Sequence, residues 1–157
     1  MVAMMAAVVM ASAVSATAQG KGPGVKIVAT LYSTFDGTGW VGNAIVVLGE
    51  NDPVKATYFC PVSQPTQKRG GEMNVVEICS YSLPDGTFEV LNRATCLPDS
   101  APGLYTMHTI STITKGTGRY ERASGELIER AQFIFTGDFP VRLPALGRTE
   151  GVIFGIQ

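Results

Sequence analysis

The sequence predicts an all-β protein, an antiparallel up-and-down β-barrel of about eight strands. Three observations predict it. After residue 24 the chain is a succession of runs rich in β-branched and aromatic residues, several alternating apolar and polar with period two. Gly, Pro, Asp and Asn punctuate these runs at short intervals. Past residue 18 no segment sustains an apolar stripe of helical period. Many short strands with regular turns argue for a barrel or sandwich, and closure removes the exposed strand edges.

The strands follow in order. "VKIVATLY" places Val25, Ile27, Ala29 and Leu31 on one face, and "WVGNAIVVLG" is a β-branched run. "KATYFCPV" is shorter and is stopped by Pro61. "SQPTQKRGGE" is the most polar stretch and reads as a long loop. "MNVVEICSYS", "TFEVLNRAT", "LYTMHTISTIT", "ELIERAQFIF" and "GVIFGI" complete the set, the last expected to stay in the sheet to the final residue. In "GELIERAQF" the residues Leu127, Ile128, Ala131 and Phe133 could form a short helical face, but the run enters "FIF" without a cap, which favours strand.

The first 18 residues stand apart. "MVAMMAAVVMASAVSATA" is uncharged, apolar and ends in Ala16-Thr17-Ala18, a small-x-small cleavage signature. We read residues 1–18 as a cleaved signal peptide and residues 19–157 as one β-barrel domain, hence a secreted or periplasmic protein. The n-region lacks Lys and Arg, a departure from the usual signal, which leaves open whether Met1 is the true start. The bland alternatives are a buried Ala-rich helix or a membrane anchor. An anchor needs ~20 apolar residues, and Ser12, Ser15 and Thr17 interrupt this run. No cysteine stands just after the cleavage site, so a lipid anchor there is not expected, nor any membrane anchor once the signal is removed.

With 12 basic and 13 acidic residues the formal net charge is −1, which gives no reason to expect a nucleic-acid partner. In an oxidising compartment the three cysteines, Cys60, Cys79 and Cys96, read as one disulfide plus one free thiol. A hairpin around Pro84-Asp85-Gly86 would face Cys79 with a residue near 91. That leaves Cys96 out of reach and favours a bond involving Cys60, without fixing the connectivity. No C-x-x-C spacing is present, so no thiolate metal site is expected.

Three reversals share a pattern. "FDGTGWVGNAIVV", "PDGTFEV" and "TKGTGRYERASGELI" each put glycine at a turn before an aromatic and a strand. Gly37-x-Gly39-x-x-Gly42 formally satisfies a dinucleotide fingerprint, but that chemistry needs a helix after the loop and here a β-branched strand follows. In the third copy Glu121 occupies the last glycine position, and no Gly-Lys-Ser/Thr follows. A sharp bend at Gly116 and Gly118 is expected there, with Tyr120 swung inward as a plug. "ERAS" would then form one helical turn ended by left-handed Gly125, with the strand resuming at Glu126.

Gly116-Thr117-Gly118-Arg119-Tyr120, followed by Ala123-Ser124-Gly125, resembles the G-T-G-x-[FY]-x-x-A-x-G signature of the allene oxide cyclase and dirigent barrel superfamily. The preceding "YTMHTISTIT" also resembles the strand that leads into that signature. The resemblance covers about fifteen residues and implies a calycin-like barrel with a central cavity and no cofactor in the barrel. Allene oxide cyclases close a cyclopentenone ring in such a cavity, and dirigent proteins orient phenoxy radicals. Their cavity residues lie outside the glycine signature and have no residue-by-residue counterpart here.

The candidate chemistry lies in the strands. Alternation puts Val75, Glu77, Cys79 and Tyr81 on one face and Val76, Ile78 and Ser80 on the other. An inward Glu77 would be a buried carboxylate suited to proton transfer or to orienting a ligand. An outward Glu77 would be an ordinary solvated side chain, and this is the favoured state. Tyr58, Tyr81 and Arg93 complete the candidate cavity set, Arg93 as a conceivable partner of Glu77. His108, the single histidine, reads as a half-exposed strand residue, since no G-x-S-x-G elbow presents a serine to it. Tyr32, Tyr105 and Trp40 read as core or rim packing.

The expected function is non-catalytic binding of a small apolar or amphipathic ligand, or a structural role. The alternatives are a cofactor-free isomerase or cyclase using a carboxylate such as Glu77, and a subunit of a homo-oligomeric surface assembly.

Overall fold

Period-two alternation governs every long strand of the computed structural model, which describes residues 22–61, 63, 65–134 and 144–156. The expected signal, residues 1–18, lies outside the described residues. Among the described residues nine strands follow in order: β1 (Val25–Phe35), β2 (Gly39–Leu48), β3 (Val54–Pro61), β4 (Thr66–Gln67), β5 (Met73–Leu83), β6 (Gly86–Pro98), β7 (Leu104–Gly116), β8 (Ser124–Ile134) and β9 (Pro144–Phe154). They pair antiparallel in the order β3-β2-β1-β9-β8-β7-β6-β5-β4, and β3 also pairs with β5. That last pairing closes an eight-stranded barrel, with the two-residue β4 as an extra strand outside it. "GELIERAQF" is strand, as its uncapped run into "FIF" implies.

Three boundaries differ from the sequence reading. The polar loop "SQPTQKRGGE" is not wholly irregular, because Thr66 and Gln67 pair with Asn74 and Met73. The terminal strand begins far earlier, at Pro144, where a first-residue proline costs no ladder hydrogen bond. It ends at Phe154, and Gly155 turns away with φ +73°. The helical turn near residue 120 is a 3-10 turn over Gly118–Tyr120, not over "ERAS". Gly118 supplies the left-handed residue (φ +57°) and β8 resumes at Ser124, so Gly125 lies inside a strand.

The β3–β5 seam is short, with Thr57, Tyr58 and Phe59 facing Ser82, Tyr81 and Ser80. The next facing pair, Cys60 and Cys79, is disulfide-bonded with a Cα–Cα distance of 4.2 Å. The bond thus locks the shortest of the barrel's closing pairings. Cys96 is free and buried. The linked pair is compatible with an oxidising compartment.

The interior is layered along the barrel axis. One end holds the main hydrophobic cluster, including Ile27, Val46, Leu48, Leu83, Phe88, Tyr120 and Ile153. The other end holds a small cluster of Met73, Cys96 and Phe133, flanked by half-buried Trp40, Tyr105 and Met107. Buried polar residues accompany these clusters: Ser33, Asn92, Thr109, Ser111, Glu129 and Thr149.

Candidate functional site

The two ends of the barrel are built for different tasks. At the first, the turn between β5 and β6 docks on the turn between β7 and β8. Thr117 N–H donates to the Thr87 carbonyl (2.8 Å), and Arg119 N–H donates to the Asp85 carbonyl (3.0 Å). The Arg119 guanidinium reaches the Asp85 carboxylate at 3.2 Å. A Cβ on Gly116 would collide with the Tyr120 carbonyl oxygen, so this approach requires glycine. Tyr120 is fully buried and plugs the end, its ring 5.4 Å from Phe88. An aromatic column continues inward through Phe88, Tyr81 and Tyr58, with centroid separations of 4.8 and 4.9 Å.

At the other end a cavity of about 130 Å³ reaches the rim. Phe35, Trp40, Met73, Met107 and Phe133 form apolar walls, and Glu77, Glu129, Tyr58 and Ser33 supply polar groups. Trp40 stands edge-on to both Phe35 and Phe133, with centroids 5.5 and 5.6 Å away. The volume is close to the ~150 Å³ apolar cavity that accommodates a benzene ring.

Alternation from a single register fixes the polar groups. Glu77 faces Asn92, Thr109 faces Glu129, and Glu129 faces Thr149 across neighbouring strands. Glu77 therefore points inward, which corrects the solvated state favoured from sequence. Its face-mates Cys79 and Tyr81 are buried, while Val76 and Ile78 lie outside at 61% and 54% exposure. The same parity corrects Arg93. It faces Val76 and Ile110 on the outer wall and is exposed, so it neither enters the cavity nor follows the inward path of Glu77.

Glu129 is 3% exposed, and its Oε2 has no hydrogen-bond partner. Burial first, then the charge of Glu77, push its carboxyl up to about 7, against a smaller opposing pull from the Thr149 hydroxyl. Burial also raises Glu77, against hydrogen bonds from Ser63 and Asn92 that favour its charged form. Ser63 Oγ donates to Glu77 Oε2 at 3.3 Å. Asn92 is buried, donates Nδ2 to Cys79 Sγ at 3.0 Å, and leaves Oδ1 unpartnered. Glu77 Oε1 lies 3.6 Å from Cys79 Sγ. A disulfide sulfur carries no hydrogen, so that contact becomes a hydrogen bond only when Glu77 is protonated.

Tyr58 lines the cavity, and its hydroxyl donates to Cys60 Sγ at 2.7 Å. Burial, then the Glu129 charge, hold the Tyr58 phenol well above its usual range, so it stays protonated. Tyr81 is interior but lies in the aromatic column beyond the cavity wall. The Cys96 thiol, a wall residue, is pushed up to about 12 by burial and then by Glu77. Cys60, Glu77 and Cys79 lie close enough to suggest a metal cluster, but the two sulfurs are bonded to each other and do not ligate. His108 and Tyr32 are exposed, and Tyr105 stacks on Phe133 at 5.6 Å. Gly39, inside the apparent dinucleotide fingerprint, opens strand β2 rather than a helix.

Sequence reading missed Glu129 and Asn92 as site residues. A signal for Glu129 was present: in "ELIERAQF" it alternates with Leu127, Ala131 and Phe133, a carboxylate set in an apolar column. Comparison of the chain with family models, curated proteins and solved structures returned no match.

Proposed function

We propose that the protein binds a small, largely apolar molecule in the cavity at the open end, without transforming it. One observation carries the reading: a benzene-sized cavity with aromatic walls ends on a buried carboxyl, Glu129, whose Oε2 has no hydrogen-bond partner among the described residues. Buried polar groups are ordinarily hydrogen-bonded, so an unpaired one facing a cavity is a site for an exogenous partner. The reading places the protein outside the cytoplasm, in keeping with the disulfide and the apolar leader.

A second reading is favoured by the pair of carboxyls. A group near 7 beside a second carboxyl can give and take a proton at neutral pH, as a cofactor-free isomerase or cyclase requires. The resemblance of the glycine signature to the allene oxide cyclase and dirigent superfamily supports that class of chemistry, as does a barrel plugged by Tyr120.

Trp40 is the single tryptophan and stands in the cavity wall, so its emission reports on occupancy. Titration with small aromatics should shift or quench that emission saturably, and native mass spectrometry should show one bound molecule per chain. Absence of saturable change across neutral, anionic and cationic aromatics would exclude the binding reading. Chemical conversion of a bound compound, lost in Glu129→Gln while binding persists, would establish the catalytic one.

A further inference from the structure

Two carboxylates share the interior with no cation among the described residues. Among the described residues every Lys, Arg and His is exposed except Arg119, which is half-buried at the opposite, plugged end and pairs with Asp85. Groups of opposite charge normally accompany buried carboxylates, because an uncompensated buried charge costs several kcal/mol, on the order of a small domain's whole margin. Tyr58, Tyr81 and Cys96, the other titratable groups that face this region, are all held in their neutral forms and add no compensation.

Of the described cavity-lining residues one has a buried side-chain polar atom without a partner, Glu129 Oε2, and as a carboxylate oxygen it can only accept; the unpartnered Thr109 and Thr149 hydroxyls and Asn92 Oδ1 do not line the cavity. A carboxylic ligand would bring a third acid into the site. A neutral alcohol offers one donor. An ammonium offers three donors, no acceptor and the missing positive charge. A hard metal ion is poorly suited, because it calls for six or more oxygens, whereas the site presents aromatic walls.

We propose that the ligand is a small arylalkyl or alkyl amine bound as its monocation, the ammonium seated between Glu129 and Glu77 and the apolar body against Trp40 and Phe133. The proposal rests on the binding reading and specifies its ligand class. The aromatic wall suits such a cation twice, as apolar surface and through the negative face of the rings.

Benzylamine, benzyl alcohol and toluene are the probes, matched in size and differing in charge and donor count. Each is titrated into the full protein and into Glu129→Gln and Glu77→Gln, with Trp40 emission and native mass spectrometry as readouts. Thermal unfolding checks that each variant is folded. At about pH 8 benzylamine should bind at least ~10-fold more tightly than toluene. The ratio of benzylamine to toluene affinity should collapse in Glu129→Gln. It should also weaken on going to about pH 5, where a proton occupies Glu129 and the amine must displace it. Toluene or benzyl alcohol binding as tightly as benzylamine overturns the amine assignment and leaves the binding reading standing. Failure of all three probes overturns both. Carboxylate-dependent binding of calcium alone overturns the amine assignment in favour of a metal.

Discussion

The plugged end and the open end are made from the same strands and differ in what fills their interior. At the plugged end two turns are joined by backbone hydrogen bonds, Arg119 meets Asp85, and the buried Tyr120 ring packs on Phe88, although the Tyr120 hydroxyl and Arg119 Nε lack partners among the described residues. At the open end the packing stops short of closure, and the buried carboxyl of Glu129 is left with an unpaired oxygen in a cavity wall. The difference teaches where stability and function reside. An end packed with aromatic side chains sets the barrel's geometry, and an open one sets an unpaired carboxyl beside space that a ligand can fill.

The largest expected effect tests the plug. Tyr120→Ala should destabilise the protein by ~3–5 kcal/mol, the cost of a large cavity in a filled core. Phe133→Ala, in the wall of an existing cavity, should cost clearly less, both read from urea midpoints. Equal costs would break the distinction between the ends.

Next in size is the seam. Replacing Cys60 and Cys79 together by alanine opens a 19-residue link, and the chain-entropy argument gives a loss of about 3 kcal/mol. The loss should vanish when wild type and variant are compared under reducing conditions. Persistence of the full difference there would mean that packing, not the covalent link, holds β3 to β5.

The pH dependence sharpens the other side of the comparison. The folded-state value of Glu129, about 7, lies above its ordinary value of 4.5. The fold therefore holds the proton more tightly than the unfolded chain, and stability falls as pH rises from about 4.5 to about 7. The whole shift corresponds to at most roughly 3 kcal/mol, and Glu77, raised in the same direction, adds to the trend. Urea denaturation at about pH 5 and about pH 8 should show the decline in wild type and a shallower one in Glu129→Gln. A wild-type protein that gains stability over this interval would contradict the account. The smallest effect is expected outside the barrel, where Arg93→Ala should change stability by no more than ~0.5 kcal/mol and leave ligand binding intact.

Much of the fold was legible because alternation and turn residues are local signals. Gly116, Gly118 and Tyr120 announced a corner and a plug from spacing alone, although the 3-10 turn begins three residues earlier than the helical turn expected. The interior site was less legible, because its composition depends on register across five strands. One-residue parity separates Asn92, inside, from Arg93, outside, and no single strand's sequence says which of its faces the barrel encloses. Glu77 was placed on the correct set of face-mates, but the direction of that face came only with closure. The Cys60–Cys79 pairing likewise followed from the β3–β5 seam, a contact between strands that are not neighbours in a simple meander of hairpins.

The central claim is that the open end holds a buried carboxyl without a cationic partner among the described residues. Side-chain carboxyl resonances of the ¹³C-labelled protein, followed through a pH titration and assigned with Glu129→Gln, test it directly. The account predicts that Glu129 titrates with a midpoint near 7, well above the ordinary carboxyl value of 4.5, and that Glu129→Gln removes that transition. A midpoint at the ordinary 4.5 would contradict it, for it would mean that Glu129 is solvated or paired and that the site has no missing charge for a ligand to supply.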